Sequence, residues 1–378
     1  MKAIVTRKAF VAAINAAADA VDRRGIIPIL ACVKLTVAKG ELDIFGTDLE
    51  IARLRRIEAD TAKPGACAVD ARKLKSALKG IKGGVVTLSL NEGNWLSVES
   101  GGATMTLATL DAEKFPPIPG PEADWRRFGF CASVLARLLD KTAFCASTDE
   151  GRVNLNGVYL ERAEAGVRMV ATDGHRLAVA EASHPVELPA PMIIRRSALK
   201  HLAEMAKAAE GGDLEFAVKL GEDGRCVSLV AHGAADTLTV RLIDKEFPDY
   251  RQVIPDVVAE TFYAEADELA AALKEVTAIS SDRSRPVKFE CAANLESLKL
   301  SARNYDMEES VRSIRVSGLS KGFDPIGFNA KYLLEALARA KGGTVEFGLG
   351  EDFLMPWTME NVCDPLWRYV LVPMRATW

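Results

Sequence analysis

The chain has 378 residues, more than one ordinary hydrophobic core supports, so two or three domains are expected. It is 49% hydrophobic and 26% charged, which is globular composition and excludes a disordered or fibrous chain. A formal net charge of −4 excludes an overall positive coat for nucleic acid, although a basic patch on one face stays open.

No apolar run approaches the roughly 20 residues that cross a bilayer, and the start of the chain shows no cleavage pattern, so it reads as cytoplasmic. The seven cysteines (Cys32, Cys67, Cys131, Cys145, Cys226, Cys291, Cys363) include no CxxC pair. That scatter reads neither as a disulfide framework nor as a zinc site. The four histidines are equally dispersed, and no metal or cofactor is expected. With aromatics sparse, the cores should be built from Leu, Val, Ile and Ala.

In chain order, the first expected element is a helix over 8–21, with Phe10, Ala13, Ile14, Ala17 and Val21 at helical spacing. A strand pair closing in a polar turn follows over 40–48. A short amphipathic helix covers 70–78 with Leu74 and Leu78 on its apolar side, and 85–90 reads as a strand. Residues 110–116 end in Phe115-Pro116. The same sequence of signals then recurs. A helix is expected over 132–146 and a strand into a turn over 166–173. A second amphipathic helix covers 196–202, a strand 238–242, and Phe247-Pro248 closes the unit. The third pass gives a helix over 266–279, a weaker strand copy over 298–304 and a helix over 329–337.

The spacing supports a true repeat. Asp48 and Asp173 lie 125 apart, as do Leu74 and Leu199, while Asp173 and Asn304 lie 131 apart. The fold class is therefore α+β: three tandem copies of one domain, each with two helices packed on antiparallel sheet. Boundaries are expected at 1–121, 122–255 and 256–378.

Positive charge concentrates on the second helix of each copy. Arg72, Lys75, Lys79 and Lys82 follow a single helical stripe beside Leu74, Leu78 and Ile81, with Lys73 adjacent. The equivalent helices carry Arg195, Arg196, Lys200 and Lys207, then Lys331, Arg339 and Lys341. One such stripe is ordinarily a solvated face. Recurrence in an acidic protein sets a second reading beside it, sequence-blind contact with phosphates, weak and salt-dependent.

Several stretches resemble the beta subunit of bacterial DNA polymerase III, the beta sliding clamp family. They are Ile27-Pro28-Ile29-Leu30, Gly46-Thr47-Asp48-Leu49-Glu50, Leu155-Asn156-Gly157, and Ala171-Thr172-Asp173-Gly174-His175-Arg176-Leu177-Ala178. Phe247-Pro248-Asp249-Tyr250-Arg251, Gly327-Phe328-Asn329 and Val372-Pro373-Met374-Arg375 continue the likeness across the chain. It implies DNA-clamp domains and two chains joined head to tail in a closed ring around duplex DNA, with helices lining the hole. DNA contact then falls to Arg24, Arg72, Lys73, Lys75, Lys79, Lys82, Arg196 and Lys200.

The resemblance also implies a peptide pocket for polymerase III's catalytic subunit, the clamp loader, other polymerases and repair proteins. Its residues would be Leu155, Thr172, Gly174, His175, Arg176, Leu177, Pro248, Val253, Val372, Pro373, Met374 and Arg375. The loop Gly151-Arg152-Val153-Asn154 departs from the family, whose best-known members carry DNA-touching aromatics there. Gln252 stands where a basic residue is frequent, and Ala376-Thr377-Trp378 extends past Arg375, with Trp378 either folded into the pocket or beside it.

The same residues admit two rival readings. An enzyme built on Asp173, His175 and Arg176 lacks a nucleophile motif, a phosphate loop and a metal set; Asp173-Gly174 reads as a turn. A divergent clamp paralogue with restricted partners would share the fold and fail to bind the usual peptides.

Overall fold

Each third of the chain runs through one order of elements, and the computed structural model describes residues 1–22, 24, 26–117, 120–280, 285–350 and 355–374. The first copy opens with β1 (Lys2–Thr6), α1 (Arg7–Ala18), β2 (Cys32–Ala38), β3 (Glu41–Thr47), β4 (Ile51–Glu58), β5 (Asp60–Lys63) and β6 (Gly65–Asp70). It closes with α2 (Ala71–Gly80), β7 (Val85–Leu90), β8 (Trp95–Ser100) and β9 (Ala103–Leu110). The second comprises β10 (Arg126–Cys131), α3 (Ala132–Thr142), β11 (Gly157–Ala163), β12 (Gly166–Thr172), β13 (Arg176–Ala182) and β14 (Met192–Arg195). Then come α4 (Arg196–Ala208), β15 (Asp213–Leu220), β16 (Cys226–His232) and β17 (Asp236–Arg241). The third has β18 (Glu260–Glu265), α5 (Ala266–Val276), β19 (Pro286–Cys291), β20 (Ser297–Arg303), β21 (Glu309–Arg315) and β22 (Ile326–Asn329). It ends with α6 (Ala330–Ala340), β23 (Thr344–Leu349), β24 (Trp357–Asn361) and β25 (Asp364–Leu371). Among the strands and α-helices of the described residues, only the short β5 lacks counterparts.

Pairing repeats as faithfully as order. The opening strand of each copy pairs antiparallel with the strand after the second helix: β1 with β7, β10 with β15, β18 with β23. The three strands after the first helix form a meander, closed by the strand before the second helix. Sheets then run on from copy to copy. β17 pairs with β4, and β25 pairs with β13.

The chain divides into two compact units: Met1–Ala136, Glu187–Ala190 and Ser197–Asp244 in one, Arg137–Val186, Pro191–Arg196 and Lys245–Trp378 in the other. The first holds a thirteen-stranded sheet and the second an eight-stranded and a four-stranded one. The middle copy contributes strands to both.

The helices are held by their apolar faces. α1 buries Phe10, Ala13, Ile14 and Ala17 and lies so close to β3 that a Cβ on Gly46 would come 2.2 Å from the Ala17 carbonyl oxygen. Glycine is what that approach permits. α1 was expected over 8–21 but stops at Ala18, leaving Val21 buried in the following turn. The helices expected over 132–146 and 266–279 also stop early, at Thr142 and Val276, and tighten into single 3₁₀ turns. The cause is shared: Thr142 Oγ1 donates to the Leu138 carbonyl and Thr277 Oγ1 to that of Leu273, each 2.7 Å. A hydroxyl that takes the i−4 carbonyl competes with helix propagation.

The main core cluster of the first copy is aliphatic, with Phe10 the aromatic ring among Val33, Leu35, Ile44, Leu74 and their neighbours, while Phe45 and Phe115 are buried in a smaller cluster. The third copy departs from that expectation. Phe262 stacks on Phe347 at 4.8 Å, and Phe328 meets Trp357 edge-on at 4.7 Å. The second copy too has a stack, Phe128 on Phe216 at 5.3 Å. All seven cysteines are free, and burial pushes the Cys67 thiol up to about 12. No helix among the described residues is long and apolar enough to cross a membrane.

Candidate nucleic-acid interface and peptide pocket

The sequence of α2 separates two faces. Asp70 caps its start by accepting from the Lys73 backbone N–H at 2.9 Å. Ala71, Leu74, Ala77 and Leu78 are buried, which turns Arg72, Lys73 and Lys79 outward. Lys82 was expected to continue the helical stripe. It does not, because α2 ends at Gly80 and Ile81 is extended (φ −87, ψ 134); Lys82 is exposed in the turn before β7. Among the described residues, Arg72, Lys73, Lys79 and Lys82 have no ion pair. Lys75 is half-buried and pairs with Asp19 at 3.6 Å.

α4 buries Ala198, Leu199, Leu202, Met205 and Ala206 and exposes Arg196, Lys200 and Lys207. Lys200 pairs with Asp19 and, at 3.7 Å, with Glu204. On α6, Lys331 is exposed, whereas Arg339 and Lys341 both pair with Asp140 at 3.4 and 3.3 Å. Arg24 is exposed, and its backbone N–H donates to Asp22 Oδ1 at 2.8 Å. The basic helices of the sequence are therefore present in all three copies. Part of their charge is met by carboxylates that sequence spacing alone did not reveal.

The turn between β12 and β13 reproduces the turn between β3 and β4 bond for bond. Thr172 Oγ1 donates to the Arg176 carbonyl, and Thr47 Oγ1 to that of Ile51, both at 2.7 Å. Asp173 Oδ1 accepts from the N–H groups of His175 and Arg176, as Asp48 Oδ1 does from Glu50 and Ile51. Gly174 has φ +88 where Leu49 has φ +74, so glycine relieves in the second copy what leucine bears in the first. These polar side chains satisfy a turn.

Arg176 and Leu177 are successive on β13 and project to opposite faces. Arg176 is 8% exposed; it holds Asp173 at 3.0 Å and Glu335 at 2.6 Å, donates to the Phe144 carbonyl, and lies 4.2 Å over the Tyr332 ring. Leu177 packs instead with Val170, Val179, Tyr250 and Val370, flanked by Tyr159, Phe247 and Ile254. The Phe247 ring stacks on Tyr159 at 4.9 Å. An equivalent cluster in the first copy joins Phe45, Ala52 and Phe115.

Around this apolar floor, His175, Pro248 and Val253 are exposed and Val372, Pro373 and Met374 half-buried. The Val372 N–H donates to the His175 carbonyl at 3.0 Å and the Met374 N–H to that of Gly327 at 2.7 Å, which fixes the chain end beside the turn. Leu155 is buried. Arg375 and the Ala376-Thr377-Trp378 extension lie outside the described residues.

The 3₁₀ turn Tyr250–Val253 is anchored by a charged network. The Tyr250 hydroxyl donates to Glu161 Oε1 at 2.5 Å, and Arg168 and Arg251 reach the same oxygen at 3.1 and 2.9 Å. Burial and the bond to Glu161 push the Tyr250 hydroxyl up to about 12. A cleft of about 320 Å³ opens beside it, lined by Arg168, Tyr250, Ile254, Leu366 and Arg368 among others. The sequence pointed to Tyr250 and Arg251 through their motif; Glu161 and Arg168 carried no signal of their own. Arg152, in the departing loop, donates to the Asp173 carbonyl at 3.3 Å and so braces the turn.

Comparison with known proteins places this geometry in one group. Sequence models of the DNA polymerase III beta subunit match in order: the N-terminal domain over residues 1–119, the central domain over 131–249 and the C-terminal domain over 251–375. The chain is 32% identical to the beta sliding clamp of Caulobacter vibrioides over 385 residues, covering all of both chains. It is 31% identical to that of Salmonella typhimurium, covering 99% of this chain and 100% of the relative. A crystal structure of the DnaN sliding clamp of Bartonella birtlesii bound to griselimycin superposes with a TM-score of 0.90, at 29% identity and full coverage of both chains.

Proposed function

This chain belongs to the DNA polymerase III beta subunit family and is a DNA sliding clamp of replication, and on that premise we propose that two copies close into a ring around duplex DNA. The three domains are proposed at 1–121, 122–255 and 256–378. The ring acts as a processivity factor in the cytoplasm, with no chemistry of its own.

What supports closure is the unfinished pairing rule. β17 completes β4 and β25 completes β13, so β9 is the strand that should complete β21. Among the described residues β21 pairs only with β20, and β9 meets β6 only at Thr109 and Leu110. An open edge on each invites pairing with another chain. Carrying the two observed registers over, Leu238 opposite Arg53 and Tyr369 opposite Ala178, gives Met105 of one chain opposite Ser310 of its partner, and Thr104 opposite Val311.

DNA contact falls to Arg24, Arg72, Lys73, Lys79, Lys82, Arg196 and Lys331, with Lys75 and Lys200 when released from Asp19. They offer charge without a base-reading pattern, which suits a protein that must slide. Partner peptides are proposed to sit over the Leu177–Tyr250 floor, held by Pro248, Val253, Val372, Pro373 and Met374, with His175 at the rim. Arg176 and Thr172 would shape that site through the turn. Polymerases, the clamp loader and repair proteins are the proposed partners. The test is retention: clamp loaded on nicked circular DNA should co-elute with it and be lost when the circle is cut. Equal retention on linear DNA would contradict encirclement.

A further inference from the structure

Asp19 is a carboxylate in an unfavourable place. It caps the C-terminal end of α1 (φ −79, ψ −15), and the last turn of that helix carries no basic residue. The negative end of the helix dipole repels an anion there, so its position depends on outside cations. Among the described residues, Lys75 of α2 meets it at 3.6 Å, and Lys200 of α4 meets it as well. These lysines come from the second helices of consecutive copies. The carboxylate lines a groove with Asp22, Arg72, Lys75 and Lys79, and its side chain is 20% exposed while that of Lys200 is 66% exposed.

We infer that Asp19 acts as an internal substitute for a DNA phosphate, sharing Lys75 and Lys200 in the unbound clamp and yielding them when the duplex enters. The inference rests on the proposed DNA-facing role of these helices. A phosphate that takes either lysine must displace a pre-existing partner, so the net gain per contact is small. Arg72, Lys79 and Lys82 face no such competition. Asp19 therefore sets how tightly the clamp holds DNA, keeping the grip weak enough for movement. Removing the carboxylate takes the Asp19 competitor from both lysines, leaving Lys200 its longer 3.7 Å contact with Glu204, and tightens binding.

The experiment measures binding of a fluorescent duplex by anisotropy across a salt series, using full-length wild type, Asp19→Asn, Lys75→Ala/Lys200→Ala and the triple variant. Asp19→Asn should bind several-fold tighter at low salt, and its log–log salt dependence should steepen by roughly 1–2, at about 0.9 per added phosphate contact. The gain should vanish in the triple variant. Unchanged or weaker binding by Asp19→Asn, with an unchanged Tm, overturns the inference. So does a gain that survives without both lysines, since general charge would then explain it. Loss of the wider DNA-binding reading is separately visible: Lys79→Glu would then leave the wild-type affinity unaltered.

Discussion

Arg53 of β4 grips Asp236 of β17 with two parallel bonds, Nε to Oδ1 at 3.1 Å and Nη2 to Oδ2 at 2.7 Å, at the seam where the first and second copies share a sheet. Their side chains are 2% and 7% exposed. Glu204 of α4 accepts from Arg53 Nη1 at 2.6 Å, and His201 Nδ1 lies 2.7 Å from the same nitrogen. Sheet pairing and a buried ionic cluster thus coincide. Asp236→Ala leaves the guanidinium with half its partners, and thermal or urea unfolding should show a loss of about 3–5 kcal/mol. A loss below about 1 kcal/mol would mean the cluster contributes little to the seam.

His201 makes that seam sensitive to acid. Burial, and then the adjacent Arg53 charge, lower its pKa to about 4 from the ordinary 6.5. With Arg53 donating to Nδ1, the ring is neutral. The unfolded chain takes a proton near pH 6.5 and the folded chain only near 4, so the unfolded state binds more protons between these values. Stability from this group is full above about pH 6.5 and falls as pH drops toward 4, by on the order of 3 kcal/mol. His201→Gln should flatten the pH dependence of Tm across that window. An identical slope in wild type and variant would rule the mechanism out.

The register proposed between chains can be trapped. Thr104→Cys with Val311→Cys, made in a Cys363→Ser background because Cys363 is exposed, should oxidise to a covalent dimer on a denaturing gel. Cross-strand neighbours lie within disulfide reach. Each single variant should stay monomeric under the same conditions. Failure of the pair, alongside efficient crosslinking one residue out of register, would refute the carried-over alignment.

Charge reversal separates DNA contact from assembly. Arg72→Glu, Lys79→Glu and Lys82→Glu together should shorten retention on circular DNA roughly tenfold or more. The oligomeric state by gel filtration should not change. Parallel loss of both properties would move these residues to an interface between chains.

For the peptide pocket, Val253→Ala with Met374→Ala should weaken a polymerase-derived clamp-binding peptide by about tenfold, read by calorimetry, with Tm held. Leu177→Ala is unsuitable as a binding probe, because its side chain is 2% exposed and its truncation should cost about 2–5 kcal/mol of stability. A wild-type dimer that binds no such peptide would favour a divergent clamp with restricted partners.

Much of this was legible in the residues. The Thr-Asp turns at Asp48 and Asp173 and the amphipathic helices around Leu74 and Leu199 carry periodicity, and periodicity is local. Counter-charges are not. Asp19, Asp140 and Glu335 sit far in sequence from the cations they meet, and no spacing rule links Lys200 to a residue in the first copy. Helix ends were also misjudged: Thr142, Thr277 and Gly80 stop helices through hydroxyl bonding and backbone freedom, while the apolar pattern beyond them continues in buried turns. The opposed faces of Arg176 and Leu177 follow from strand alternation.

The most direct measurement is electron microscopy of the purified protein in solution. A particle of two chains around a central hole, lined by α2, α4 and α6 with β9 paired to the partner's β21, is the predicted result. Isolated single chains at micromolar concentration, or a closed particle with those helices on its outer rim, would contradict it.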